Sequence, residues 1–159
     1  MAIEITEKDK EMLTRLKYTY EDDNIRYKQI IKEKLLQNDE LMYALHAKDL
    51  EENDDFFGDR PESVIRDYYI IPEVQTYPRH YLCYEVSFGD TLLHRPEWKY
   101  GQIIFYILCD QRDIRDSATG IARHDLISAI ITKAFNWEND FGLRMSLVSN
   151  KAASQDGDF

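Results

Sequence analysis

The fold is decided by one apolar stretch, Gln102-Ile-Ile-Phe-Tyr-Ile-Leu-Cys-Asp110. Large apolar side chains occupy both its odd and its even positions, which predicts a central strand with both faces covered. Residues 81–88 alternate instead, as expected for an antiparallel strand with one solvated face. We therefore expect both segments in one small antiparallel sheet. The face of 81–88 expected in the core carries Leu82, Tyr84, Val86 and Phe88.

Two weaker patterns extend this sheet. Residues 68–71 contain two Tyr and two Ile, which favour a strand, and Pro72 halts it. Residues 143–148 follow the Phe141-Gly142 turn and alternate Leu, Met and Leu with Arg, Ser and Val. The sequence thus predicts one strand before the two main ones and one last strand near the C-terminus.

Helical patterns precede the strands. Thr6 and Asp9 resemble a capping box that opens a helical segment over 6–20. A better helix is predicted over 24–36, because its apolar residues share one face. A short helical piece follows over 39–47. These segments supply the N-terminal helices of the fold.

The clearest helix is predicted over residues 121–136. It carries an unbroken apolar stripe with polar residues outside it, so we expect the stripe to pack on the sheet. The resulting order is α-α-β-β-β-α-β, an α+β fold with helices on one face of the sheet. The stripe consists of Leu126, Ile127, Ile130, Ile131 and Phe135.

Length and composition fit a single domain. A chain of 159 residues that is 43% hydrophobic can build a sizeable core, and a fold of this size buries roughly 70% of the surface of the unfolded chain. We assign residues 1–150 to one α+β domain and expect a flexible tail over 151–159. Residues 48–60 concentrate like charges without periodicity, which predicts a mobile acidic loop.

The charge balance narrows the classes of partner. The net charge of −10 disfavours naked nucleic acid as a ligand, because a binder needs a basic face to release counterions. Two cysteines, Cys83 and Cys109, cannot form a disulfide framework. No basic region followed by an apolar run opens the sequence, so we expect synthesis in the cytosol. The apolar run 103–109 is too short to cross a membrane.

Motifs for chemistry are missing from the sequence. The four histidines are not at metal-ligand spacing, and neither a glycine-rich phosphate loop nor a G-x-S-x-G element occurs. A calcium loop read from Asp49 places Arg60 where glutamate should chelate. The carboxylates Asp110, Asp113 and Asp116 lie in a polar loop among arginines that can pair with them. We therefore expect no catalytic residue, no cofactor and no metal.

A family resemblance appears in the C-terminal half. Residues 113–131, with Phe135-Asn-Trp and then Phe141-Gly-Leu-Arg-Met-Ser-Leu-Val-Ser, resemble small head–tail joining proteins of long-tailed bacteriophages. The tail terminator, or tail completion, type is the most similar. The preceding layout also resembles that family, with a leading helix, a loop, a strand ending in Ile-Ile-Pro72 and two core strands. The resemblance covers roughly residues 24–150 and leaves the acidic loop and the N-terminal lead without a counterpart.

The resemblance implies a structural virion protein. Such proteins form a ring, commonly of six copies, that caps the tail tube and presents a face to the neck. The implied partners are further copies of the chain, tail tube proteins and neck proteins, with no membrane. DNA would pass through the lumen without sequence-specific binding, and the protein would be made and assembled in the host cytoplasm.

Two surfaces are expected to make the subunit contacts. An unpaired sheet edge and an adaptable loop are ready binding surfaces, and the eleven tyrosines fit a chain that meets other proteins. We expect arginines around the start of the helix at 121 to pair with the acidic loop of a neighbour. The candidates are Asp54, Asp55, Phe56 and Phe57 in the loop, and Arg112, Arg115 and Arg123 near the helix.

Three alternatives stay open at this point. The protein could be another neck component, such as a head-closure or adaptor protein. It could be a small metal-dependent hydrolase that uses His124, Asp125 and the carboxylates of 110–116. It could also be a cytosolic adaptor or antitoxin-like regulator whose acidic surface binds a basic partner.

Overall fold

Helices on one face of a sheet form an α+β domain, as predicted. The computed structural model describes residues 4–18, 23–70, 77–92, 95–141 and 145–151. Within these ranges the chain forms four α-helices and three strands, with the N-terminal helices first and the longest strands in the middle.

The helices follow the predicted periodicity closely. Helix α1 covers Glu7–Arg15, and the capping box of Thr6 and Asp9 is present in full. Helix α2 covers Asp23–Leu36, and α3 covers Asp39–Leu45 after Asn38 caps its first turn. Helix α4 covers Arg123–Phe135. Because α1 buries none of its residues, the core is built by α2, α3 and α4.

The sheet is mixed and has the order β1-β2-β3. Strand β1 is Ile65–Arg66, β2 is Tyr81–Leu92 and β3 is Arg95–Leu108. Strands β2 and β3 form a long antiparallel hairpin, whereas β1 runs parallel to β2. The core face of the hairpin is set by the pairs Leu82 with Ile107, Tyr84 with Phe105, and Val86 with Ile103.

The predicted packing of α4 is confirmed. Ile127, Ile130, Ile131 and Phe135 are buried in the core, and the rings of Phe105 and Phe135 lie 5.1 Å apart. Helix α2 adds Ile31 and Leu35 on the same side of the sheet. The main chain of α2 is also bonded to the sheet, since the Tyr84 hydroxyl donates to the Lys28 carbonyl oxygen at 2.9 Å.

Strand β3 does not occupy the central position in the sheet that the sequence predicts. It lies at the edge of the sheet with β2 as its one neighbour among the described strands, and β2 is the central strand. Residues 103–108 are half-buried, whereas 81–84 are fully buried. An apolar run on both faces is therefore compatible with an edge strand, because periodicity reports how the two faces are used and not how many strands lie alongside.

The first predicted strand is also displaced. The strand pairing occurs at Ile65–Arg66, while residues 68–70 have no strand structure and residue 71 lies outside the described ranges. Instead, the Tyr69 ring packs against Tyr106 of β3 at 4.6 Å. Tyr69 therefore contacts the sheet rather than extending it, and the Tyr68 hydroxyl donates to Asp59.

The last predicted strand does not form within the described residues 145–148. Met145 alone makes ladder-like contacts: it accepts from the Trp137 N–H and donates to the Glu138 carbonyl oxygen, both at 2.9 Å. Beyond Met145 the described residues 146–151 are exposed and have no regular secondary structure. The other predicted strand residues, 143 and 144, and the predicted tail from 152 onward lie outside the described ranges.

Candidate functional site

The acidic loop 48–60 is anchored to the domain, which corrects the prediction of a mobile loop. It contains a 3-10 turn over Asn53–Phe56, and Phe56 is only 5% exposed within the core. The Phe56 carbonyl oxygen accepts from the Val64 N–H at 2.9 Å, and the Gly58 N–H donates to Ile65. Burial of an aromatic side chain outweighs the repulsion between charges that remain in water.

The loop residues predicted as subunit contacts therefore separate into two kinds. Phe56 points into its own domain and is unavailable to a neighbour. Asp54 is exposed, and Asp55 is half-buried with Arg60 at 3.0 Å. Phe57 is half-buried with the Lys32 ammonium 4.5 Å from its ring centre. Asp54, Asp55 and Phe57 have exposed atoms, so they remain predicted subunit contacts.

Arg123 is the second correction. It is 1% exposed and lies inside the domain at the first turn of α4. Its Nη1 donates to the Ala44 carbonyl oxygen at 3.0 Å, and its Nε donates to the Asp113 carbonyl oxygen at 2.9 Å. Its Nη2 lies 3.4 Å from Asp113 Oδ1 and 3.9 Å from Asp116 Oδ1. A guanidinium used in this way holds the fold and cannot reach a neighbouring subunit.

Asp113 contacts two histidines as well as Arg123. Its Oδ2 lies 2.5 Å from His46 Nδ1 and 3.1 Å from His80 Nε2. His80 is buried, and its Nδ1 accepts from the Asp110 N–H at 3.2 Å. An acceptor at Nδ1 requires the proton of a neutral ring to sit on Nε2. His80 therefore donates to Asp113 as a neutral imidazole.

The pKa values agree with this arrangement. Burial lowers the pKa of His80 below its ordinary value, although the hydrogen bond to Asp113 opposes that shift. Burial alone would raise the pKa of Asp113, but the hydrogen bonds from His46 and His80 and the charge of Arg123 lower it to about 2. Asp113 is therefore an anion and His80 is neutral at physiological pH.

A tyrosine completes the cluster, which we call the Arg123 network. The Tyr43 hydroxyl donates to Asp116 Oδ1 at 2.8 Å, and the Thr119 hydroxyl donates to Asp116 Oδ2 at 2.6 Å. The network joins α3, the loop 110–122 and the start of α4. Its members are Tyr43, His46, His80, Asp113, Asp116, Thr119 and Arg123.

The remaining predicted arginines are on the surface. Arg112 pairs with Asp110 at 2.6 Å, and Arg115 donates to the Gly120 carbonyl oxygen at 2.7 Å. Both side chains are exposed. Both remain predicted subunit contacts. Among the described contacts, neither forms an ion pair with the acidic loop of its own chain.

The alternative hydrolase residues do not assemble into a recognisable centre. No group of three or more His, Cys, Asp or Glu among the described residues could hold a metal ion. His124 Nε2 lies 3.3 Å from Asp125 Oδ1, and Asp125 is exposed at the start of α4. Burial raises the pKa of Cys109 to about 12, so this thiol is protonated at neutral pH.

Sequence reasoning missed two exposed apolar features. One is the outer edge of β3 together with the uncharged residues 100–109, where Tyr100 is 59% exposed. The other contains Leu147 and Val148, which are 55% and 77% exposed and have no strand partner among the described residues. The β-prone pattern of 143–148 could have pointed to the second feature. A sequence pattern predicts a strand but does not show whether another strand lies beside it.

The family of the chain follows from a match that covers most of its length. The model of the YomW family matches residues 9–157. The chain belongs to the YomW family. This is a phage-derived protein family, so the coarser part of the predicted resemblance, a phage protein, is supported. No curated protein and no solved structure matches the chain.

In this YomW protein the candidate site is a surface. The charged groups of the Arg123 network are engaged with one another. Residues 103–108 of β3 are half-buried, and residues 146–150 are exposed. None of the helices that the structure describes is long and apolar enough to cross a bilayer.

Proposed function

We propose that this YomW protein is a structural subunit of a ring at the head–tail junction of a tailed phage. In that role it caps the tail tube and joins it to the neck. Membership in a phage-derived family supports the setting, and the resemblance of residues 24–150 to tail terminators supports the position.

The open edge of β3 is the observation that carries the proposal. An edge strand presents unpaired N–H and C=O groups to any chain that can align with it. Natural monomers protect such edges with charges, proline or bulges, yet residues 100–109 contain neither a charge nor a proline. An edge of this kind favours a protein that works while packed against others.

The charge of the chain suits a ring through which DNA passes. Like charges repel, so a net charge of −10 lets a polyanion slide without adhering. The proposed partners are further copies of the chain, commonly six in a ring, together with tail tube and neck proteins. The proposed location is the virion, after assembly in the host cytoplasm.

The test is removal of the protein from a phage that encodes it. We expect lysates of the deletion mutant to contain full heads and separate tails by electron microscopy, and a plasmid copy to restore joined particles. Normal joined and infectious particles in the deletion mutant would overturn the proposal.

A gold-labelled copy distinguishes the terminator from other neck proteins. A terminator labels the head-proximal end of tails from lysates that make no heads. A head-closure or adaptor protein labels heads from lysates that make no tails. Label on the second kind of particle alone would replace the terminator with one of those neck proteins.

A further inference from the structure

Two features of this chain have no strand partner among the described residues, and they complement each other. One is the outer edge of β3 at residues 103–107, and the other is the segment 146–150. We propose that the segment 146–150 of one copy adds as a strand to the outer edge of β3 of a neighbouring copy. This contact rests on the proposed ring, for which it supplies the link between subunits.

The acceptor is the edge of β3. Strand β2 pairs with one side of residues 103–107. From the other side, no described segment makes a backbone hydrogen bond to these residues. Their side chains alternate between the core, where Phe105 meets Phe135, and the outer face, where Ile104 lies beside Glu85. The edge is thus flat, apolar and held in place by the core beneath it.

The donor is the segment 146–150. It begins after Met145, whose backbone is fixed by Trp137 and Glu138. Beyond that point two hydrogen bonds hold it: the Leu147 N–H donates to Asn136 Oδ1, and the Asn150 amide donates to Ser128 Oγ. All residues from 146 to 150 are exposed.

The donor also has the composition of a strand. Its sequence is Ser-Leu-Val-Ser-Asn, with the apolar pair Leu147 and Val148 in the middle. Five extended residues span about 17 Å, the length of the open part of β3. A β-prone segment outside any strand gains backbone hydrogen bonds and apolar burial when it joins an edge.

The absence of charge argues that the neighbour is a second copy. Two chains of net charge −10 repel each other, so they associate best where neither surface is charged. Both 102–108 and 146–150 are free of charged residues. The contact also joins two different surfaces, and repeated head-to-tail contacts close into rings. Pairing of β3 with β3 would instead stop at a dimer and leave 146–150 unused.

One variant removes the donor and another removes the acceptor. Val148→Pro fixes φ and deletes an N–H, so residues 146–150 can no longer form a strand. Ile104→Lys places a charge on the edge, while Glu85 directly across the pair can neutralise it within the folded chain. Val148→Thr and Ile104→Thr are the matched controls, since threonine favours strands.

The measurement is the native mass of the full chain across a concentration series. We expect the parent and both threonine variants to form the same oligomers, and each disabling variant to remain monomeric. Circular dichroism establishes that all five chains are folded. If both disabling variants assembled as the parent does, or if the parent stayed monomeric at every concentration, the inference would be overturned.

Mixing the two disabled chains separates this contact from other modes of association. The Ile104→Lys chain can still donate its segment to the intact edge of the Val148→Pro chain, and no further link can form. We expect the mixture to yield heterodimers and nothing larger. A mixture that stays monomeric would contradict the donor–acceptor pairing. The proposed function is judged separately by the deletion phage, because particles could need this protein even if another surface joins its copies.

Discussion

The Arg123 network and the edge of β3 use their residues in opposite ways. The network is rich in charge, yet its groups bind each other: Arg123, Asp113 and His80 are joined within the domain. The edge of β3 is apolar and uncharged, yet its outer side is open among the described residues. Charged residues in a loop thus serve the fold here, whereas the outer side of the apolar strand makes no backbone hydrogen bond within the described part of the chain.

The largest effect should come from charging the apolar core that supports the edge. Ile130→Asp buries an unpaired carboxylate between α4 and the sheet, and we expect the chain not to fold. Ala129→Asp, on the exposed side of the same helix turn, is the control and should fold as the parent does. Circular dichroism and solubility measure both, and a stable, soluble Ile130→Asp chain would contradict the packing of α4.

The next largest effect on stability should come from a substitution in the Arg123 network. Arg123→Met removes the guanidinium from Asp113 and from the Ala44 carbonyl oxygen. Leaving such partners unpaired costs about 3 to 5 kcal/mol of unfolding free energy. Urea unfolding measures the loss, and Arg112→Met on the surface is the control with an expected midpoint near that of the parent. Equal stability of the two variants would show that Arg123 is not a structural residue.

Two neighbouring phenylalanines in the acidic loop, one buried and one half-buried, should differ in how much they stabilise the fold. Phe56→Ala empties a core position and should cost about 3 kcal/mol. Phe57→Ala removes a half-buried ring beside Lys32 and should cost less. Urea unfolding of both variants tests the assignment of Phe56 to the core, and a larger loss for Phe57→Ala would reverse it.

The dependence of stability on pH follows from the same network. Burial holds the pKa of His80 below 6.5, and the pKa of Asp113 is about 2 instead of 3.8. Between each ordinary value and its folded value, the unfolded chain binds a proton that the folded chain does not. Stability should therefore fall as the pH drops below 6.5 and fall again below 3.8.

The urea midpoint measured at several pH values tests this dependence. His80→Gln should flatten the first decline, because a glutamine does not titrate. His124→Gln, a change at a half-buried surface position of α4, should leave that decline as it is in the parent. A first decline that survives in His80→Gln would assign it to another group.

The smallest effect concerns α1, which buries no residue. Thr6→Ala removes the hydroxyl that accepts from the Asp9 N–H, so the first turn of α1 should fray. The midpoint of global unfolding should not change, since the core does not include α1. Hydrogen exchange of residues 7–10 detects the fraying, and a shift of the global midpoint would show that α1 belongs to the cooperative unit.

Most of the fold could be predicted from the sequence because periodicity reports which faces are buried. The stripe of α4 is confirmed, and so are Leu82, Tyr84 and Val86 of the core face of 81–88. Tyr81 and Cys83 on the face predicted to be solvated are buried as well. The place of β3 could not be predicted, because an edge strand with two half-covered faces has the same pattern as a central one. The strand at 68–71 failed for a related reason, since β-prone aromatic residues also pack across a sheet.

The candidate site was less predictable than the fold. The sequence predicts Arg123 as a contact because it lies around the start of the helix, but two acceptors on Asp113 and one on Ala44 hold it inside the domain. Such acceptors are backbone carbonyl oxygens and long-range carboxylates, which leave no local pattern. Phe56 was misplaced because the charges around it dominate the loop, although one aromatic residue is enough to anchor it.

The Arg123 network has a mechanical consequence for whatever binds the surface above it. One guanidinium ties the end of α3 through Ala44, the loop through Asp113 and its own helix α4. The loop that bears Arg112 and Arg115 is therefore tied at Asp113 to both helices. Moving the loop away from α3 or α4 at this point would break hydrogen bonds of Arg123, and α4 in turn contacts β3 through Phe135 and Phe105.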